Sequence, residues 1–297
     1  MCKQPRQASL IHRVETGALF IVMLLIAAGS VFAQTAQSVD SSIKTFGIEI
    51  NVDDMDKALA FYTGKLGFEV EDRQGYPDYI ILKTGDREKL ILNRVNKLSK
   101  PGPNDSNLSF TLQVNDLAET IERMKKLGVE FAEKAPRKEA VGNAISIRDP
   151  FGRSISLMHE TIVKVDPFAE PKLYNFGFLI SDMQAARDFY VNKIGFVVRS
   201  ERYLPLDLPL GHGDKTFAFM LHVRPGVVAG KSTYPNSVAY NTAVFATFNL
   251  PAALERLKAN GVKIVDTKEE VGKRAFVMLE DPFGIVSKLL EVKTREP

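Results

Sequence analysis

The chain has 297 residues, of which 45% are apolar, 25% charged and 9% aromatic, a composition that excludes a largely disordered protein. Lys and Arg number 39 against 36 Asp and Glu, leaving a net charge of +3. That is too even a balance for the basic field with which proteins hold nucleic acid. The length allows about two domains of roughly 130 residues, each able to bury about two-thirds of its unfolded surface.

At the N-terminus, Lys3, Arg6 and Arg13 precede the uncharged apolar run Ala18 to Ala28, and small residues follow up to Ala33. That order predicts a secretory signal over residues 1–33, and an apolar stretch of about 11 residues is short of the roughly 20 a spanning helix needs. The alternative is an uncleaved anchor, since no charge lies between Glu15 and Asp40. Cleavage after Ala33 removes three basic residues, one acidic residue and Cys2, leaving a net +1 and no cysteine. An exported, periplasmic or secreted protein without disulfides, thiolate catalysis or cysteine metal sites is expected, with no membrane contact after cleavage. Residues 34–43 read as a flexible leader.

From residue 44 the chain repeats itself. Asp54 is followed by Ala58, Phe61-Tyr62 and Leu66-Gly67-Phe68, and 128 residues later Asp182 is followed by Ala185, Phe189-Tyr190 and Ile194-Gly195-Phe196. Asp149-Pro150-Phe151-Gly152 recurs as Asp281-Pro282-Phe283-Gly284. Each half divides again, because Asp54, Asp116, Asp182 and Asn249 each open a helical pattern with a side chain able to cap it. Before each helix runs an alternating strand: Ile48, Ile50 and Val52 against Gly47, Glu49 and Asn51, then Phe110, Leu112 and Val114 against Ser109, Thr111 and Gln113. Such alternation indicates a sheet covered by helices on one face only. Apolar stretches such as Tyr79 to Leu82, Leu90 to Leu92 and Ile145 to Leu157 follow the helices, so each quarter reads strand, helix, three strands.

Two quarters can close into a curved sheet of about eight strands with a cup on its concave side, a natural place for a ligand. Pairing within a half and pairing across halves are both open. Taken by halves, strand parity gives a polar first cup of Glu49, Asn51, Ser109, Thr111, Gln113, Ser154 and Ser156. The second is more apolar, with Asn175, Leu179, Thr242, Val244, Val286, Lys288 and Leu290. The halves are expected at 44–160 and 173–293, joined by 161–172. The insert Glu201 to Asp214 has no counterpart of that length in the first half and is expected to be an exposed loop or lid over a pocket.

The strand-Asp-x6-Phe-Tyr-x3-(Leu/Ile)-Gly-Phe pattern and the late Asp-Pro-Phe-Gly resemble the vicinal oxygen chelate superfamily of glyoxalase I, bleomycin and fosfomycin resistance proteins and extradiol dioxygenases. The resemblance implies an α+β fold of two tandem domains, each of two βαβββ modules forming a curved mixed-sheet cup with helices outside. In metal-using members it also implies a divalent ion held by His, Glu or Gln in the cup. Carried onto this chain, those positions are Gly47 and Asn175 on the first strands, Ser109 and Thr242, and Ser156 and Lys288. The remaining position falls on Leu92 and Leu221, or on Asn93 and His222 if the register moves by one. Gly has no donor atom and the ammonium of Lys288 repels a cation, so no metal or other cofactor is expected.

The candidate ligand-binding residues are therefore Asn175, His222, Thr242 and Lys288 in the second half and Glu49, Asn51, Ser109 and Ser156 in the first. Lys288 suits a carboxylate or enolate, Asn175 a carbonyl, Glu49 general-base work and His222 proton transfer. The leading expectation is a binding protein for a small organic molecule. The alternatives are a metal-dependent lyase, isomerase or dioxygenase with an atypical ligand set using His222, Glu49 or Asn93, and a chain in which one half serves as a structural platform. A homodimer is compatible with each.

Overall fold

A computed structural model describes residues 42–292 apart from 86–87, 103–104, 106, 163–166, 169–170, 212–217, 225, 227–228, 233, 235 and 270–274. The predicted signal and leader therefore lie outside the described residues, but for Ser42 and Ile43. Residues 40–297 form one compact unit, and four modules follow in chain order. The first is β1 (Lys44–Val52), α1 (Met55–Tyr62), β2 (Glu69–Asp72), β3 (Tyr79–Lys83) and β4 (Lys89–Arg94). The second is β5 (Leu108–Gln113), α2 (Leu117–Lys126), β6 (Glu130–Phe131), β7 (Arg137–Lys138), β8 (Gly142–Arg148) and β9 (Ser154–Glu160). The third is β10 (Lys172–Ile180), α3 (Met183–Arg187), running into a π-helical stretch Asp188–Ile194, then β11 (Val197–Val198), β12 (Asp207–Gly211) and β13 (Ala218–Val223). The fourth is β14 (Asn241–Thr247), α4 (Leu250–Ala259), β15 (Lys263–Glu269), β16 (Ala275–Glu280) and β17 (Val286–Glu291).

Each helix starts where its cap predicts. Asp54, Asp116, Asp182 and Asn249 adopt extended backbone and accept from the N–H of Lys57, Glu119, Gln184 with Ala185, and Ala252 respectively. Behind α2, Gly128 has φ +65°, the left-handed turn that lets the chain leave the helix.

The modules pair across the halves. Sheet I runs β15-β16-β17-β14-β1-β4-β3-β2, from modules one and four, and sheet II runs β11-β12-β13-β10-β5-β9-β8-β6, from modules two and three. The seams are antiparallel: β1 on β14, with Ile48 opposite Ala243, and β10 on β5, with Phe176 opposite Phe110. A single apolar core drawn from all four modules, including Ile48, Phe110, Phe176, Tyr190 and Phe245, fills the helix side of both sheets. At the junction of the sheets the buried Arg153 donates to Asp149 Oδ2 (2.8 Å), the backbone oxygen of Asn51 (2.9 Å) and Asn241 Oδ1 (3.2 Å). Asn241 Nδ2 in turn donates to the backbone oxygen of Leu108 (2.8 Å). The cup linings are thereby redistributed: Glu49 and Asn51 share sheet I with Thr242 and Lys288, whereas Ser109 and Ser156 share sheet II with Asn175 and His222.

Candidate functional site

The two concave faces differ in what fills them. On sheet I, Tyr79, Ile81, Ile91, Val244, Phe276 and Leu290 form a second apolar cluster, with Phe46 and Met278 packed against it. Within that cluster Lys288 Nζ donates to Glu49 Oε2 at 2.6 Å, both side chains being over 90% buried. The ammonium also lies 4.6 Å from the ring centroid of Phe276 and 5.8 Å from that of Tyr79, a favourable place for a desolvated cation. Thr242 is buried opposite Glu49 on the neighbouring strand, and Asn51 accepts from Asn93 Nδ2 at 3.1 Å. Glu49 and Lys288 are thus engaged with each other inside a packed layer, away from Asn175 and His222.

The cup of sheet II is open. It encloses about 1100 Å³, ample for a small organic molecule. Its floor carries neutral hydrogen-bonding side chains on adjacent strands: Ser109, Thr111 and Gln113 from β5, Ser154 and Ser156 from β9, and Asn175 from β10. Met158, Met220, Pro209 and Tyr203 supply apolar surface around them. This is the strand parity expected of β5 and β9, since Phe110, Leu112, Ile155 and Leu157 point to the core instead.

Arg137, Glu139, Asp207 and Arg224 at the wall are held in ion pairs, whereas Lys172 there lies over the ring of Phe168, 3.9 Å from its centroid. Arg137, on the two-residue strand β7, donates to Glu133 (2.7 Å), Glu139 (2.6 Å), Ser146 Oγ (3.1 Å) and Ser156 Oγ (3.1 Å). Burial works against its charge, but the two carboxylates outweigh that and raise its pKa. Tyr174 donates to Glu160 Oε2 (3.3 Å), and burial together with that carboxylate pushes its phenol up to about 12. Across the cup, His222 Nδ1 lies 2.6 Å from Asp207 Oδ1, and Arg224 donates to the same oxygen at 2.7 Å. Burial would raise the carboxyl of Asp207, yet the hydrogen bonds from His222 and Arg224 prevail and hold it below its ordinary value. An ionised carboxylate only accepts, so Nδ1 is the donor of the His222–Asp207 bond. Arg224 Nη2, 3.1 Å from that same Nδ1, therefore acts on it by proximity of charge and not as a donor.

One glycine and the strand register explain the placement of His222. Core-facing Leu221 and cup-facing His222 show that the fourth-strand position carried over from the family pattern falls on Asn93 and His222, not on the buried Leu92 and Leu221. The His222 ring lies over Gly177, where an added Cβ would come within 2.3 Å of Nε2. In the insert predicted as an exposed loop or lid, Asp207–Gly211 is instead strand β12, with Leu208 and Leu210 fully buried and paired to β13. At the far end of the ladder, Gly211 faces Arg199, its nearest side-chain neighbour. His212 and Asp214, in the same insert, lie outside the described residues. The alternation Asp207, Leu208, Pro209, Leu210 was the signal for this strand. Arg137 gave no such signal, because a lone basic residue beside Lys138 reads as solvated surface. His159 contacts the backbone oxygen of Val114 at 3.4 Å, at the end of β9.

The donor sets do not fit the divalent metal implied by the family resemblance. In the open cup the corresponding positions present Asn175, His222, Ser109 and Ser156, with the guanidinium of Arg137 bonded to the last. In sheet I they present Gly47, Asn93, Thr242 and the buried ammonium of Lys288. Among the described residues no group of three His, Cys, Asp or Glu converges as a metal site would require. No described helix is long and apolar enough to cross a membrane.

Residues 44–157 and 172–288 match the family model of the Glyoxalase/Bleomycin resistance protein/Dioxygenase superfamily. No curated protein matches the chain in sequence. Among solved structures, glyoxalase I from Zea mays is similar over 84% of this chain and 92% of its own, with 20% identity and a TM-score of 0.64. A putative dioxygenase from Bacillus subtilis is similar over 85% of this chain and 86% of its own, with 11% identity and a TM-score of 0.59. At these identities the likeness is one of fold.

Proposed function

Because the chain belongs to the Glyoxalase/Bleomycin resistance protein/Dioxygenase superfamily, whose fold hosts both catalysis and binding, we propose that it binds a small organic molecule in the cup of sheet II without the family's usual metal. The observation that carries this reading is the contrast between the cups: one is packed around the Glu49–Lys288 pair, the other holds about 1100 Å³ over a floor of neutral hydrogen-bonding side chains. Neutral donors and acceptors among methionine and tyrosine surfaces suit an uncharged or weakly charged ligand with several oxygen or nitrogen atoms and an apolar body. Sheet I serves as the platform against which sheet II is built. The signal-like N-terminus supports an exported protein that meets its ligand outside the cytoplasm.

The test is native mass spectrometry of the protein isolated from its own compartment without chelators, beside a Thr111→Trp variant that fills the cup floor. An organic mass retained by the wild type and lost from the variant is expected, with no stoichiometric metal. A stoichiometric divalent ion, or an organic mass that Thr111→Trp leaves in place, overturns the reading.

A further inference from the structure

We propose that one end of the open cup is a cation subsite, in which the Glu160 carboxylate, held by Gln113 and Tyr174, binds an ammonium group of the ligand. The inference rests on the sheet II cup being the ligand site and deepens that reading, since the weakly charged ligand then carries its charge as a single protonated amine. Glu160, the last residue of β9, faces the cup. Its Oε2 accepts two long hydrogen bonds, from the Tyr174 hydroxyl at 3.3 Å and from Gln113 Nε2 at 3.4 Å. Both donors are neutral. The amide has no charge, and the phenol, raised to about 12 by burial and by Glu160, keeps its proton at neutral pH. Glu139 and Asp207 have arginine partners at the same wall. Glu160 has no basic partner among the described residues, and its Oε1 accepts from none of them. A carboxylate in that state gains most from a charged donor, whose hydrogen bond is about twice as strong as a neutral one.

Strand register sets this subsite at the end of the neutral floor. Gln113 is buried beside Met158, two residues before Glu160 on β9, and lies opposite Lys172 on β10. The ammonium of Lys172 does not fill the subsite, because it lies 3.9 Å from the ring centroid of Phe168 and forms no ion pair with Glu160. Tyr203 lines the cup close enough to Tyr174 to add to the rise of that phenol. Its ring adds an aromatic surface, which attracts a cation. One step inward along β5, Thr111 sits between Asn175 and Ser156 on the neighbouring strands. Two residues of strand span about 7 Å, so a short apolar arm, lying along Met158, separates the amine at Glu160 from the polar atoms read by Thr111, Asn175 and Ser156. The ligand class is therefore an organic amine whose charged end and neutral polar end are joined through an apolar body.

Three probes that share a body and differ in charge test the subsite: 3-phenylpropylamine, 3-phenylpropanol and 3-phenylpropionate, titrated at neutral pH and followed by ¹H–¹⁵N chemical shifts. The wild type is expected to bind the amine about tenfold or more tightly than the alcohol, and the carboxylate more weakly than either. Glu160→Gln should lower the affinity for the amine about tenfold or more while changing that for the alcohol by less than about twofold. A merely structural role for Glu160 would move both probes together. An alcohol bound as tightly as the amine, no binding of any probe, or an amine affinity unchanged in Glu160→Gln overturns the proposal. Should the variant fail to fold, the wild-type order of the three probes decides alone. The organic mass retained by the wild type separates this inference from the reading on which it rests. If Thr111→Trp loses that mass and it contains no basic nitrogen, the cation subsite falls and the cup stands as the ligand site. If Thr111→Trp leaves the mass in place, it is the cup reading that falls.

Discussion

The repeated Asp-Pro-Phe-Gly turns show how one changed neighbour alters a carboxylate. Both aspartates accept two backbone N–H bonds within their own turn, those of Phe151 and Arg153 for Asp149 and those of Phe283 and Ile285 for Asp281. Both also accept from a tyrosine hydroxyl of the π-helical or helical segment packed above, Tyr62 at 2.8 Å and Tyr190 at 3.0 Å. Asp149 has the Arg153 guanidinium in addition, where Asp281 has only the backbone of Ile285. Burial therefore raises Asp281 to about 6, with the hydrogen bonds opposing it only in part. A carboxyl whose folded pKa lies above its unfolded value of 3.8 holds its proton more tightly in the native state. Its contribution to stability is then complete below about pH 4 and is lost as the pH rises through 6, a change of about 3 kcal/mol. Asp281→Asn keeps the accepted bonds through its carbonyl oxygen and gives Tyr190 an N–H donor. Urea unfolding at pH 4.5 and 7.5 should show the wild type losing stability over that interval relative to Asp281→Asn; parallel curves would show that Asp281 does not titrate there.

At the scale of strands, the buried pair of sheet I ties the first element of the fold to the last. Glu49 on β1 and Lys288 on β17 flank β14 and are 239 residues apart in sequence. Removing one partner leaves a desolvated charge, so Lys288→Met is expected to cost about 3–5 kcal/mol in chemical unfolding. The double change Glu49→Met with Lys288→Met, which leaves no charge among Tyr79, Phe276 and Leu290, should recover most of that loss. Equal stabilities of the single and double variants would show that the pair is not desolvated. This pair also marks where reading by strand parity reaches its limit. Parity assigned Glu49, Asn51, Ser109, Ser156, Asn175, Thr242 and Lys288 to concave faces, and they lie there, because alternation is a local property of each strand. Which strands share a face is decided at the seams, and β1, β5, β10 and β14 carry nearly interchangeable apolar patterns. Nothing local distinguishes a β1–β14 seam from a β1–β5 one. His222 was legible only to within one residue, and Asp207 was hidden in an insert whose Leu208–Leu210 alternation is two residues long on each face. Arg137 sits on a strand too short to carry any period.

The interleaving of modules governs the whole molecule. The duplicated halves meet in sequence between residues 160 and 172, but neither half contains a complete sheet: the first supplies one side of each cup and the second supplies the other. Loops that join the quarters reinforce this, since Ser99 bridges to Ser237, and Asn107 Nδ2 donates to the backbone oxygen of Gly230. Cutting the chain between the halves therefore breaks one covalent link but leaves two antiparallel seams, the shared core and the Arg153 junction intact. A protease site introduced within residues 163–166 and cleaved should leave the halves as a 1:1 complex in size-exclusion chromatography under native conditions, with bound ligand retained. Each half expressed alone exposes the unpaired edges of two curved sheets, and such edges pair with whatever strand is available. It should therefore self-associate or aggregate, and mixing the two halves during refolding should restore the soluble complex. Two monomeric, folded halves after cleavage would mean that the cups close within each half. In that case Ser109 would face Glu49 instead of Gly177, and the floor of the open cup would lose the pairing of β5 with β10.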